Sequence, residues 1–158
     1  MAKILRIHTL PADEPVLRAP NRAVTFPLSA DVKKLIADMK ETVKKAPGIG
    51  LAAPQVGANL KLAVVHLEEF GLKTFALLNP LIVSRSIKKS IMQEGCLSIP
   101  GFFGQVKRPS RVEVEAYSET GKPVLIKGEG LLAKVLQHEI DHVNGVLIAD
   151  KAEKSKSK

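Results

Sequence analysis

The sequence contains few of the residues on which several protein classes depend. Among its 158 residues there is one cysteine, Cys96, so no internal disulfide can form. Aromatic residues make up 4% of the chain, and no apolar run approaches the roughly 20 residues that a membrane-spanning helix needs. The first residues lack the long apolar stretch of a secretory signal. These absences predict a cytoplasmic protein that makes no membrane contact.

Negative charge is also scarce relative to positive charge, and the formal net charge is +8. Part of the excess lies in the terminal KAEKSKSK (151–158), which we expect to be a basic, disordered tail after a single domain at 1–150. A basic surface can attract a polyanion such as ribosomal RNA. The sequence contains no nucleic-acid motif, however, so it predicts no sequence-specific nucleic-acid binding.

Hydrophobic spacing predicts a helix near each end of the domain and several strands between them. The first 27 residues, with four prolines, are expected to form an extended, turn-rich arm, and GIGLAAPQVG (48–57) reads as a loop. The pair Asn79–Pro80 should interrupt its strand with a bend or bulge. The predicted elements are a helix from Ser29 to Pro47, strands at 60–67, 74–83 and 111–118, a return strand from Pro123, and a helix at about 129–143.

The last predicted helix carries the sequence VLQHEIDHVNG. His138 and His142 lie four residues apart, on the helix face that also carries Leu131 and Val135, so both imidazoles point into the protein. One histidine on an apolar face is usually a hydrogen-bonded core residue, but two at this spacing can chelate a cation. Glu139 beside them can serve as a general base instead of a ligand.

The third ligand separates the classes of protein that carry HExxH. One protease class continues as HExxHxxGxxH, and here Ile148 stands where the last histidine should be. The residues after the second histidine contain no other histidine and a single glutamate, in the lysine tail. The third ligand must then lie upstream, where His8, His66 and Cys96 are the candidates. Cys96 is favoured, because one thiolate and two imidazoles leave a fourth coordination position open.

Three segments, GIGLAAPQVG, EGCLSIP and QHEIDH, resemble in this order the signature of peptide deformylases, over about residues 3–150. The resemblance implies a metal-dependent hydrolase that removes the formyl group from the N-terminal formyl-methionine of newly made polypeptides and releases formate. It implies an α+β fold, with antiparallel or mixed β-sheets wrapped around a central HExxH-bearing helix, and one N-terminal helix. It also implies one divalent metal ion, Fe²⁺ in the cell, with Zn²⁺, Ni²⁺ or Co²⁺ as substitutes.

The resemblance further assigns roles to individual residues. The implied site consists of Cys96, His138 and His142 as metal ligands, Glu139 as general acid and base, the Gln55 side chain and the Leu97 backbone N–H as donors to the developing oxyanion, the Gly50 backbone as a substrate contact, and Ile49, Leu131 and Val135 as walls of the methionine pocket.

Two features depart from many members of that family. Phe102 and Phe103 stand where some members carry arginine near the substrate. The chain also ends soon after the catalytic helix, so we expect only a weak electrostatic ribosome contact, through the lysine tail. Two alternatives stay open: an HExxH metalloprotease, which would digest casein, and a catalytically inactive, ribosome-associated metal-binding module. The intact Gln55 and Glu139 weigh against the second.

Overall fold

The computed structural model describes residues 2–153. Within this range the chain forms helices, strands and two short 3-10 segments, at Ala53–Val56 and Glu68–Phe70. The helices are α1 (Glu14–Arg18), α2 (Ala30–Lys45), α3 (Leu131–Val143) and α4 (Ile148–Lys151), and the strands are β1 (Gly50–Ala52), β2 (Leu62–Leu67), β3 (Leu72–Arg85), β4 (Lys89–Gly95), β5 (Phe103–Pro109), β6 (Arg111–Tyr117) and β7 (Pro123–Glu129).

The strands form two sheets. Five of them pair in the order β1-β2-β3-β6-β7, and β4 pairs with β5 as a separate two-stranded ribbon. Every pairing between these strands is antiparallel, and a single parallel bridge joins Arg22 to Leu60. The predicted α+β architecture, with sheets around the HExxH helix α3, is confirmed, and its sheets are of the antiparallel kind.

The five-stranded sheet is covered by a helix on each face. On β2, Leu62 and Val64 pack in a core cluster with the inward face of α2, whereas Val65 packs in a second cluster with Val135 and Leu136 of α3. A strand buried on both faces needs apolar residues at consecutive positions. This requirement explains the run LAVV in β2. The second cluster places α3 against this buried strand, at the centre of the molecule.

Two segments predicted to be irregular contain regular structure. The arm includes α1, whose Pro15 lies in the first helical turn, where a missing N–H costs nothing. The predicted loop 48–57 supplies β1, which pairs with β2 from Gly50 opposite Val65, and then a 3-10 turn. Its small residues fit because β1 is fully buried. The prediction of a plain loop was therefore wrong.

The ribbon strand β4 was not predicted, because its hydrophobic pattern runs opposite to its burial. Ile91 is 52% exposed, whereas Glu94, on the other side of the strand, is 1% exposed. The predicted interruption at Asn79–Pro80 is confirmed, since the β3–β6 register shifts between Leu78 and Leu81. Asn79 has a left-handed φ of 52°, and its side chain exchanges two hydrogen bonds with the backbone of Val24.

The C-terminal end of the described range packs against the ribbon. Lys151 closes α4, and the Glu153 N–H donates to the Gln105 carbonyl of β5 at 2.8 Å. Residues 151–153 therefore extend the folded part beyond the predicted boundary, and residues 154–158 of the predicted tail lie outside the described range. Within that range no helix is both long and apolar enough to cross a membrane.

We expect Leu136→Ala to lower the free energy of unfolding by about 2–5 kcal/mol, because Leu136 is fully buried where α3 meets β7. Leu81→Ala is the matched control, since Leu81 is 60% exposed, and its effect should stay within about 0.5 kcal/mol. Urea unfolding of both variants measures the difference. Equal losses would contradict the central position of α3.

Candidate metal centre

Three side chains from two separate parts of the fold converge on one point. His138 and His142 project from neighbouring turns of α3, and Cys96 follows directly after β4. One ligand atom of each lies within 4.8 Å of the others, and the Cys96 Sγ is 3.3 Å from the His142 Nε2. Among the described residues, this is the group of histidine, cysteine and carboxylate side chains that is spaced to hold a metal ion.

The other two candidates for the third ligand lie elsewhere. His8 contacts Asp13, with 3.4 Å between Nδ1 and Oδ1, and its ring lies against Gly57. The Nδ1 of His66 is 2.8 Å from the Thr74 hydroxyl, which donates in turn to Glu68. Both histidines therefore have local structural partners, which leaves Cys96 as the residue that joins the histidine pair.

The spacing and chemistry of the three side chains fit a tetrahedral divalent ion. Metal–sulfur and metal–nitrogen bonds of about 2.3 and 2.1 Å place neighbouring ligand atoms roughly 3.3–3.6 Å apart. Burial, and then the charges of His138 and Arg108, hold the pKa of His142 well below its ordinary value, so this ring is neutral and ready to coordinate. Burial opposes a proton on His138, but hydrogen bonds with Cys96 and Glu94 raise its pKa to about 10, so a metal ion would bind this ring by displacing its proton.

A buried ion pair holds His138 from behind. The Nδ1 of His138 is 3.0 Å from the Glu94 Oε1, and Arg108 contacts the same carboxylate through Nε and Nη2, at 2.6 and 3.0 Å. Arg108 also donates to Asp141 of α3 at 2.9 Å. Because Nδ1 is occupied, the opposite ring nitrogen of His138 is the one left for a metal.

The same ion pair is a source of stability above acidic pH. Burial alone would raise the pKa of Glu94, but hydrogen bonds to His138 and Arg108 lower it to about 2 from an ordinary value of 4.5. A carboxyl whose pKa falls on folding stabilises the fold above its unfolded pKa. This contribution is therefore present above about pH 4.5 and is lost as the pH falls towards 2.

Glu139 is buried beside the candidate metal ligands, and none of the described residues forms an ion pair with it. It is 3% exposed, and its Oε1 makes no hydrogen bond within the described residues. Burial raises the pKa of Glu139 to about 7. Gly50 of β1 leaves room for this carboxylate, because a Cβ at that position would overlap the Glu139 Oε2. A buried carboxyl with a near-neutral pKa is suited to proton transfer at neutral pH.

Gln55 presents its amide N–H₂ to the same site. Its Oε1 accepts from the Ala52 N–H at 2.9 Å, which fixes the orientation of the amide. Its Nε2 lies 3.1 Å from the Ser98 hydroxyl and 3.7 Å from the Cys96 Sγ. The N-terminal arm links the segments that carry Gln55 and Ser98. The backbone N–H of His8 donates to the Gln55 carbonyl, and that of Leu10 donates to the Ser98 carbonyl.

Gln55, Cys96, His138 and Glu139 line one cavity of about 460 Å³, whereas His142 is buried and is not part of its wall. Its wall includes most of the residues that the sequence predicted, namely Ile49, Gly50, Gln55, Cys96, Leu97, Val135, His138 and Glu139. Phe102 and Phe103 lie at the ribbon side of the cavity, where Phe103 packs across Gly95. Leu131 packs in the adjoining apolar cluster with Val65 and Leu136 and does not line the cavity, so its contact with a substrate stays a prediction.

Sequence reasoning missed the residues that support the site. Glu94 precedes Cys96 by two positions, and alternate residues of a strand share a face, so this spacing was a usable signal. Ser98 lies two residues after Cys96 in EGCLSIP, and Lys134 lies four residues before His138 on α3, so both spacings were usable signals as well. Arg108 gave no comparable signal, because it reaches Glu94 only through the pairing of β4 with β5.

The comparisons with known proteins agree with this geometry. The profile described as polypeptide deformylase matches residues 4–158. A peptide deformylase of Symbiobacterium thermophilum is 47% identical over 150 residues, which cover 94% of this chain and 66% of that protein. The chain thus spans about two thirds of the length of that relative.

Two solved structures share the fold over almost their whole length. The peptide deformylase of Thermotoga maritima superposes with a TM-score of 0.88 at 37% identity, covering 96% of this chain and 99% of that one. A class I type b peptide deformylase of Acinetobacter baumannii, solved with Met-Ala-Ser bound, has a TM-score of 0.88 at 28% identity, with the same coverage of 96% and 99%.

We expect Glu94→Gln to weaken metal binding by about 10–100-fold, because His138 loses the charged acceptor that orients its ring. Competition between the metal-free protein and a chromophoric chelator for Co²⁺ measures this. The matched control is Glu115→Gln, on the exposed side of β6, which should bind Co²⁺ like the unmodified chain. An unchanged affinity in a folded Glu94→Gln variant would contradict the positioning role of Glu94.

Proposed function

The chain belongs to the polypeptide deformylase family, hydrolases that remove the formyl group from N-terminal methionine, and we propose that it carries out this reaction with the residues that converge on α3. The observation that carries the proposal is the meeting of Cys96, His138 and His142 at one end of a cavity whose wall also holds Glu139 and Gln55. A metal-binding module without activity would need neither of these last two groups.

We propose that Cys96, His138 and His142 hold one divalent ion, with Fe²⁺ as the native metal and Zn²⁺, Ni²⁺ or Co²⁺ as substitutes. One thiolate and two imidazoles suit each of these ions. When bound, the ion supplies a Lewis acid for the formyl carbonyl and lowers the pKa of water at the site. Because three protein ligands leave one coordination position open, the arrangement favours catalysis over a purely structural role.

Glu139 moves the proton in this proposal. Its carboxylate takes a proton from the attacking water, whose oxygen bonds to the formyl carbon. As the carbon–nitrogen bond breaks, Glu139 returns the proton to the leaving amine, so that the products are formate and a free N-terminus. A pKa of about 7 serves both transfers, since the group can then accept and release a proton near neutral pH.

Gln55 and Leu97 act on the charge that develops on the formyl oxygen. The Gln55 Nε2 is already aimed at the cavity by the hydrogen bond from Ala52 to its Oε1. We assign the Leu97 backbone N–H as the second donor. Donors fixed before the reaction cost no reorganisation, and losing one typically lowers the rate by about 10²–10³-fold.

The peptide substrate adds to the free edge of β1. Among the described residues this strand ends the five-stranded sheet and pairs with β2 alone, and Gly50 lines the cavity, so an extended chain in the cavity could pair with its other edge. The Gly50 backbone would make that contact, and Ile49, Val135 and Leu131 would surround the methionine side chain. The Met-Ala-Ser bound to the Acinetobacter structure supports a substrate of this kind.

We propose the cytoplasm as the place of action, because newly made polypeptide ends are the substrate of the family. The basic C-terminal sequence would add a weak electrostatic contact with the ribosome. The described part of the chain contains no helix that could hold it in a membrane.

Formate release from formyl-Met-Ala-Ser tests the proposed function. The metal-loaded chain should release one formate per peptide and leave casein intact, whereas a protease would show the opposite preference. Glu139→Gln should lower kcat by at least about 10²-fold, the lower range for a general acid–base group, while binding the metal normally. Glu129→Gln, at the end of β7, is the control. Loss of metal binding in Glu139→Gln would show that Glu139 acts as a ligand.

We expect activity to depend on the reduced state of Cys96. Oxidation to a sulfenic or sulfinic acid removes the thiolate ligand, so the Fe²⁺ form should lose activity in air while the Ni²⁺ form persists. Activity half-lives of both forms, with peptide mapping of Cys96, measure this. Because Cys96 is the only cysteine, an oxidised thiol can be assigned without ambiguity. Equal half-lives would contradict this account.

A further inference from the structure

The substrate cavity contains one cation that the proposed mechanism does not use. Lys134 lies on α3 one turn before His138, on the same stripe of the helix, and it lines the cavity. Apart from the histidine and glutamate of the site, the other residues of that lining carry no charge in the described chain. A lysine beside the apolar and small residues of this wall would be stabilised by a ligand group of negative charge.

Within residues 2–153, the charge of Lys134 has no carboxylate partner. Its Nζ donates to the Gln93 carbonyl of β4 at 2.8 Å, and no carboxylate of the described residues lies within ion-pair distance. Arg108, a short distance along the ribbon, is instead matched by Glu94 and Asp141. An ammonium carries three donors, so two remain after the bond to Gln93.

The bond to Gln93 also limits where the ammonium can go. Gln93 lies two residues before Gly95, next to the ribbon wall that carries Phe103. A lysine fixed by a carbonyl loses less rotational freedom when it binds a second group, since part of that freedom is already lost. Lys134 is thus a localised positive charge at the cavity, within reach of a ligand placed over the α3 stripe.

We propose that Lys134 is a specificity-determining residue that favours formyl-methionyl peptides with an acidic side chain at the second or third position. This inference rests on the proposed function. The formyl group and methionine are neutral, so a carboxylate for Lys134 must come from a later residue. A peptide C-terminus is a second source of the same chemistry, and amidated peptides remove it from the test.

The experiment compares kcat/KM for amidated formyl-Met-Glu-Ser, formyl-Met-Ala-Glu, formyl-Met-Lys-Ser and the neutral formyl-Met-Ala-Ser. An ion pair with partial exposure changes affinity by up to about fivefold. Because Lys134 would attract the acidic peptide and repel the lysine peptide, we expect kcat/KM for one acidic peptide to exceed that for the lysine peptide by about fivefold at low salt. Lys134→Met should bring that ratio near one, and Lys134→Glu should invert it. High salt should compress it in the unmodified chain.

Two controls separate a specificity role from a structural one. Lys134→Met also removes the tie to Gln93, and a structural loss would lower kcat/KM for all peptides equally, the neutral one included. Lys127→Met removes an exposed lysine of β7 outside the cavity and should leave every ratio unchanged. An acidic-to-basic ratio that survives Lys134→Met would overturn the proposal.

A binding measurement keeps this test independent of turnover. The unformylated amides Met-Glu-Ser, Met-Ala-Glu and Met-Lys-Ser can be titrated calorimetrically into the metal-loaded chain and into Lys134→Met. Tighter binding of an acidic peptide that disappears in the variant supports the proposal even if no formate is released, and that lack of formate would count against the proposed function alone. Equal affinities for all three peptides would overturn the specificity role while leaving deformylation intact.

Discussion

The position of the sulfur ligand depends on one buried ion pair. The β4–β5 ribbon that ends at Cys96 does not pair with the main sheet, and an isolated two-stranded ribbon is at best marginally stable in water. Glu94, opposite Gly104, and Arg108, opposite Ser90, meet diagonally on one face of that ribbon, and both also reach α3, through His138 and Asp141. The pair therefore sets the distance between the ribbon and the helix, and with it the distance between Cys96 and the histidines. A buried pair is costly unless its geometry is good, and here both carboxylate oxygens of Glu94 are occupied.

Glu139 shows the opposite arrangement. This acid is buried, and none of the described residues forms an ion pair with it. Its raised pKa shows that the ionised form is disfavoured in the folded chain, so the group lowers stability once the pH exceeds its unfolded value. The surrounding structure accommodates it through Gly50, because any side chain there would occupy the space of the carboxylate. Glu94 of β4 thus holds the His138 ring, whereas Glu139, the neighbour of His138 on α3, is suited to proton transfer. Their environments, and not their chemistry, separate them.

The sequence predicted helix α3, its histidine pair and helix α2 well, because each rests on periodicity within one segment. It also placed β3, with its bulge, and β6, whose residues alternate between core and solvent. It did not predict β4, since a strand that buries Glu94 and exposes Ile91 contradicts the usual pattern. The same limit applies to the supporting residues. Arg108 and Ser98 act on groups that are distant in sequence, and only strand pairing and loop packing bring them to Glu94 and Gln55.

The division of the candidate metal ligands between two elements has a consequence for folding. His138 and His142 are fixed relative to each other by four residues of α3, so they are in place once that helix packs on the sheet. Cys96 comes from a ribbon held by side-chain contacts, which include Gln137 donating to the Pro109 carbonyl and Lys134 donating to the Gln93 carbonyl. A bound ion would add a further link between these two units, and ions that bind only the folded state stabilise it by mass action. The main sheet has its own core on both faces. The free energy gained from ion binding should therefore stabilise mainly the docking of the ribbon, and the sheet less.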